Sequence, residues 1–183
     1  MAILPRVPGI SVEVRVDGEP LEEFFSEDEE DTTNTATRYV EATSGDIFTI
    51  HWTYHKSLKC RRQDLNGHAL VDGKRVRSAI TWSTDWMDQD SHTIDVTGVC
   101  LHEQGDYVMR DMIFSEVKIV ENNKDQTLPA TLEALRSLGE IRVCFWNGTA
   151  AIEDERAKPC NFDTIESVPE KKLKGRAISH QTR

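Results

Sequence analysis

Long apolar runs are missing from this chain of 183 residues, of which 38% are hydrophobic. The longest, such as Tyr107–Met109 and Met112–Phe114, are broken by charge within a few residues. A bilayer-spanning helix needs roughly 20 apolar residues, so the sequence predicts no transmembrane helix. The N-terminal stretch from Met1 to Val14 has no basic segment leading into an apolar one, which predicts an intracellular protein, in cytoplasm or nucleus.

Cysteine is scarce and badly spaced for metal work. Cys60, Cys100, Cys144 and Cys160 form no CxxC or CxxH pair, so a thiolate metal site has no support. Cys100 and Cys144 sit in apolar, strand-like runs and are expected to pack as small core residues. The ten glycines include no GxGxxG or GxxxxGK[ST] arrangement, which removes the common phosphate cradles. No serine stands in a GxSxG elbow, and no cysteine has a recognisable catalytic context. Asn147-Gly-Thr149 matches a glycosylation sequon, but without a secretory leader the match is taken as accidental.

What is abundant is acid, and it is unevenly placed. The formal net charge is −10. Nine carboxylates (Asp17, Glu19, Glu22, Glu23, Glu27, Asp28, Glu29, Glu30 and Asp31) follow one another with no basic side chain between them. Mutual repulsion and little apolar surface predict a solvated acidic loop over about residues 19–36. Leu21, Phe24 and Phe25 are the side chains there that could dock onto the body. At the other end the sign reverses, with Lys171, Lys172, Lys174, Arg176 and Arg183 against Glu170.

Periodicity gives the fold. Ile10, Val12, Val14 and Val16 alternate with Ser11, Glu13 and Arg15, the pattern of a half-buried strand, and Asp17-Gly18 then turns the chain. Phe48, Ile50, Trp52 and Tyr54 alternate with Thr49, His51, Thr53 and His55. A helix would scatter those large apolar groups around its circumference; a strand puts them on one face. His51 and His55 then stand about 13 Å apart at roughly 3.3 Å per residue, too far to share one ion, and both are expected on a solvated sheet face. Asp72-Gly73 marks a hairpin between short β-prone runs. Further strands are expected at Ala79–Trp82, Thr93–Val96 and Val99–Leu101, and over Tyr107–Val120 with a break near Asp111. Ser83–Ser91 and His102–Gly105 read as loops. Leu128, Leu132, Leu135 and Leu138, with Pro129 early and Gly139 at the end, predict one short helix over Thr127–Gly139. The strand Glu140–Trp146 follows, with Ile141, Val143 and Phe145 facing inward. Seven or eight short strands and one helix predict a mainly β, antiparallel β-sandwich over residues 1–146, with an extended, weakly ordered basic tail over 147–183.

Several runs together resemble an uncharacterised fungal domain family: GISVEVRVDGEPLEEF from Gly9, the acidic run, TRYVEATSGDIFTI from Thr37, the VDGK hairpin, MIFSEVKIVE from Met112, LGEIRVCFW from Leu138 and PEKKLKGRAISHQTR from Pro169. The resemblance covers nearly the whole chain. It implies no activity, cofactor or catalytic residue, but it does imply a further apolar strand after the HQT segment, where this chain stops.

Two functional readings remain. Asp85, Asp88, Asp90 and His92 lie in one loop and could hold a cation for a metal-assisted hydrolase, although their offsets lack the EF-hand pattern. The second reading is a non-enzymatic protein-interaction module. A basic partner protein would be drawn to Glu27, Asp28, Glu29, Glu30 and Asp31, with Phe24 and Phe25 as apolar anchors, although a run of this kind also serves solubility alone. Lys56, Lys59, Arg61 and Arg62, beside Trp52 and Tyr54, suggest nucleic acid. The net negative charge and the inward assignment of both aromatics count against that, and this basic loop could instead meet the chain's own acidic run. The sequence favours the interaction module and leaves the oligomeric state open.

Overall fold

In the computed structural model the alternating segments pair into antiparallel sheets. The structure describes residues 2–4, 7–26, 31–60, 62–117, 119–120, 137–148, 168–169 and 180–182. In chain order its strands are β1 (Ala2–Leu4), β2 (Val7–Val16), β3 (Glu19–Pro20), β4 (Glu23–Phe24), β5 (Tyr39–Val40), β6 (Ile47–His55), β7 (Asp64–Val71) and β8 (Lys74–Thr81). After the single-turn helix α1 (Ser83–Trp86) come β9 (Ser91–Val96), β10 (Val99–Glu103), β11 (Asp106–Arg110), β12 (Met112–Glu116), β13 (Ile119–Val120), β14 (Ile141–Gly148), β15 (Val168–Pro169) and β16 (His180–Thr182).

The larger sheet is built on β6. Along one edge β6 pairs with β2 from Ile10↔Tyr54 to Val16↔Phe48. It also pairs with β9 from Ile50↔Val96 to His55↔Ser91, and with β12 at Phe48 and Ile47. β1 and β3 extend the β2 side, and β16 pairs with β12. The smaller sheet runs β14-β7-β8. All pairings in both sheets are antiparallel.

The sandwich closes where the apolar faces meet. Phe48, Ile50, Trp52 and Tyr54 are all completely buried, which the strict alternation of β6 requires. Trp52 and Tyr54 meet the Phe145 ring of β14 edge-on, with centroids 6.0 Å apart in both pairs. Gly67 of β7 lies under Trp52: a Cβ there would stand 3.0 Å from the indole ring. Leu65, Ala69, Val71 and Val76 supply the opposite wall. Positive φ angles at Asp17 and Gly18, and at Asp72 and Gly73, give the tight turns that the DG pairs predict.

The long strand expected over 107–120 is split at Asp111, between β11 and β12. The loop expected at 102–105 is the tip of the β10–β11 hairpin. Two expectations need correction, for the stretch 83–91 and for two cysteines. The stretch 83–91 is not all loop: it opens with α1, because Trp86 is driven to full burial against Tyr54, 5.6 Å between centroids. Of the helix expected over Thr127–Gly139, residues 127–136 lie outside the described residues, and 137–139 form a turn with Gly139 at φ 75°. Cys100 and Cys144 are half-buried, not core residues, since each alternates with neighbours that pack into the core, Val99 and Leu101 on β10 and Val143 and Phe145 on β14. At the C-terminal side, β14 runs on through Asn147 and Gly148, opposite Leu65 and Asp64, and His180–Thr182 pair with Glu116–Phe114.

Candidate functional site: an acidic, aromatic ribbon

The acidic segment contains structure that repulsion alone does not predict. After the Asp17-Gly18 turn, β3 pairs back on β2, and Leu21 packs against the core, its amide bonded to the Val14 carbonyl at 2.9 Å. The chain then forms β4, which pairs with β5 in a two-stranded ribbon, Glu23↔Val40 and Phe24↔Tyr39. Alternation along so short a ribbon separates its side chains into two sets. Phe24 and Tyr39 form one cross-strand pair, both about half exposed. Glu23, Phe25 and Arg38 fall on the other side.

Arg38 organises that second side. Its two terminal nitrogens each donate to one oxygen of Asp31 at 2.7 Å, a bidentate pair, and Nη1 also donates to the Thr37 carbonyl at 2.6 Å. Nε lies 4.0 Å from Glu23 Oε2, and the guanidinium carbon sits 4.2 Å above the centre of the Phe25 ring. The Thr37 amide donates to Asp31 Oδ1 as well. The guanidinium holds the Asp31 carboxyl below the usual carboxylate range, and the carboxylate in turn raises Arg38. One cation thus closes the loop on itself and keeps Phe25 at the surface, where its ring is 73% exposed.

The seven residues expected to meet a partner therefore divide. Phe24 and Phe25 are exposed aromatics on the ribbon. Asp31 is engaged internally, which narrows its expected role. Glu27, Asp28, Glu29 and Glu30 lie outside the described residues. Sequence reasoning missed Arg38 and Tyr39. The signal was present: Arg38 is the first basic residue after nine carboxylates, followed at once by an aromatic in a β-prone TRYV run. The cation that Asp31 meets is Arg38, not one from the basic loop at 56–62.

The other candidates disperse. Asp90 accepts from Lys56 Nζ at 2.8 Å, Asp85 accepts from its neighbour Thr84, and the His92 ring lies parallel to Tyr54 with centroids 6.5 Å apart. Among the described residues no three His, Cys, Asp or Glu side chains come together as a metal-ligand set. Near the basic loop an open depression of about 520 Å³ is lined by Leu58, Lys59, Cys60, Arg62 and Gln63, and burial pushes the Cys60 thiol up, away from the reactive thiolate. Trp52 and Tyr54 are core residues and offer no stacking platform. The histidines of β6 are half-buried rather than fully solvated: His55 Nε2 lies 2.9 Å from Ser11 Oγ, and His51 sits between Thr49 and Asp95. Among the described residues no helix is long and apolar enough to cross a membrane.

Fold and ribbon together define a mainly β, antiparallel sandwich domain that carries an ion-paired acidic hairpin. Residues 9–183 match the family described as Domain of unknown function (DUF7918), and the chain belongs to that family. No curated protein and no solved structure matches it.

Proposed function

We propose that the chain is a protein-interaction module, acting through binding and not through turnover, whose acidic ribbon receives a lysine- and arginine-rich segment of a partner protein. One observation carries the reading: Phe24, Phe25 and Tyr39 stand 46%, 73% and 47% exposed on a ribbon that Arg38 pins in place. Exposed aromatics held in position lose little entropy on binding, and aromatic anchors dominate interface energetics. Glu19 and Glu22, both exposed, supply carboxylates beside them, and attraction to a basic segment would speed encounter. Cys60, Cys100 and Cys144 are free thiols, which suits the reducing compartments of cytoplasm or nucleus.

The test is capture of the full chain on an immobilised Lys/Arg-rich peptide. Binding should fall steeply as salt rises through the physiological range, because surface charges are screened over about 8–10 Å. Replacing Phe24 and Tyr39 together by alanine should abolish capture with the fold intact. Neutral replacement of residues 27–30, sparing Asp31, should weaken it. Capture that is indifferent to salt, or that survives the double alanine variant, would sink the reading.

A further inference from the structure

The outward face of β6 holds a line of side chains that neither the core nor the ribbon uses. Glu13, His51 and Asp95 form one cross-strand row over β2, β6 and β9, and in the adjacent row Arg15 stands opposite Thr49. His51 Nδ1 lies 2.6 Å from Asp95 Oδ1, and Nε2 lies 2.8 Å from Thr49 Oγ1. A carboxylate only accepts, so Nδ1 carries the proton; in the neutral ring Nε2 is then the acceptor, and the Thr49 hydroxyl donates to it. This hydroxyl, imidazole and carboxylate order is what turns an alcohol into a nucleophile on unrelated folds. The His51 side chain is only 16% exposed and therefore held, while Asp95 at 55% leaves the face open to a reagent.

We propose that Thr49 is a nucleophilic hydroxyl, activated by His51 and oriented through it by Asp95, which accepts an acyl group from an activated ester or thioester. As the bond from Oγ1 to the acyl carbon forms, the hydroxyl proton passes to His51 Nε2. As the acyl carbon releases its alcohol or thiol, that leaving group takes the same proton from Nε2, so the ring ends neutral and no electrons change hands. The charged groups facing the imidazole are Glu13 and Arg15 from β2 and Asp95 from β9, while His55 on the same strand is turned to Ser11. Arg15, held to Glu13 through Nε at 3.0 Å and Nη2 at 2.7 Å, is the cation on the Thr49 row that a developing oxyanion would meet. A secondary hydroxyl on an open sheet face suits a single transfer onto the protein, a modification site. The proposal shares no residue with the ribbon, so either can fail alone.

The full chain is incubated with p-nitrophenyl acetate and mapped by peptide mass spectrometry. The expected result is acetylation of Thr49 matched by release of p-nitrophenolate. His51→Gln should slow labelling at that residue about 10²-fold or more, and Thr49→Ser should preserve or raise it. Asp95→Asn, a change to a positioning residue, should slow labelling at Thr49 about 10-fold or more, and Asp95→Glu should restore part of the rate; a merely structural role would show no such rescue by the conservative variant. Thr49→Val should abolish the label, and should that variant fail to fold, the serine and glutamine variants decide. Acetyl groups confined to lysines, or Thr49 labelled equally fast in the wild type and His51→Gln, would overturn the proposal.

Discussion

The sandwich and the β4–β5 ribbon are both antiparallel β-structure, yet opposite forces hold them. In the sandwich, a face of large apolar side chains on β6 is removed from water against β7 and β14, and the hydrogen-bond ladders follow. In the ribbon, two residues pair with two, and three of its aromatic rings stay at the surface. Its closure rests on one guanidinium shared among Asp31, Glu23, Phe25 and a backbone carbonyl. A two-stranded hairpin is marginal in water on its own, so a segment this acidic needs a cation to stay folded back. The sandwich should respond to changes of volume, the ribbon to changes of charge.

The largest expected effect comes from emptying the core. Trp52→Ala should cost about 3–5 kcal/mol in chemical denaturation, since the fully buried indole of one sheet packs against Phe145 of the other. Filling the same region should hurt less: Gly67→Ala puts a methyl 3.0 Å from the ring carbon of Trp52, and a cost of about 1–3 kcal/mol is expected from overpacking. A destabilisation by Gly67→Ala as large as that of Trp52→Ala would show that the two sheets cannot adjust to each other.

Alkaline titration sharpens the contrast between buried and exposed rings. Burial pushes the Tyr54 phenol up to about 12, against a weaker pull from Trp52 and Thr81. Its folded value lies above the unfolded one, near 10. The stability it carries is therefore complete below about pH 10 and is lost as pH rises towards 12. Of the three tyrosines in the chain, Tyr39 and Tyr107 are exposed and Tyr54 is fully buried. The tyrosinate absorbance of Tyr54 should arrive only at about pH 12, together with unfolding.

The smallest effect is local and belongs to the ribbon. Asp31 is lowered by Arg38, so its contribution is present above the ordinary carboxylate value of about 4 and is lost as pH falls through the depressed folded value. NMR signals of Phe25 and Tyr39 should shift in that acidic window while the buried tryptophan signals hold. Arg38→Lys should produce the same ribbon change at neutral pH, because an ammonium cannot match both oxygens of Asp31 and lie flat on Phe25. Loss of the tryptophan signals in step with those of the ribbon would mean that the two regions form one cooperative unit.

Much of the sandwich was legible beforehand, for a particular reason in each element. β6 was readable because Phe48, Ile50, Trp52 and Tyr54 alternate without a fault, and the hairpins because DG pairs permit positive φ. α1 was not readable, since Ser83–Trp86 shows no periodicity and is a helix only because Trp86 reaches into the core beside Tyr54. The ribbon was half legible: Phe24 and Phe25 stood out as the apolar residues of an acidic run, but no local rule says that Arg38 will return to Asp31, seven positions earlier. In the sequence His51 stands out only beside His55. Its partners instead come from two residues back on the same strand and from β9, more than forty residues away.

By itself the sequence determined which side of each strand faces the interior, where the tight turns fall and where charge accumulates, because these depend on side-chain periodicity and local backbone freedom. Tertiary structure alone decided which strands became neighbours, and through that which polar groups met: Arg38 with Asp31 and Glu23, and Asp95 with His51 and Thr49. Register between distant strands is set by the packing of two whole faces, and no short stretch of chain contains that information.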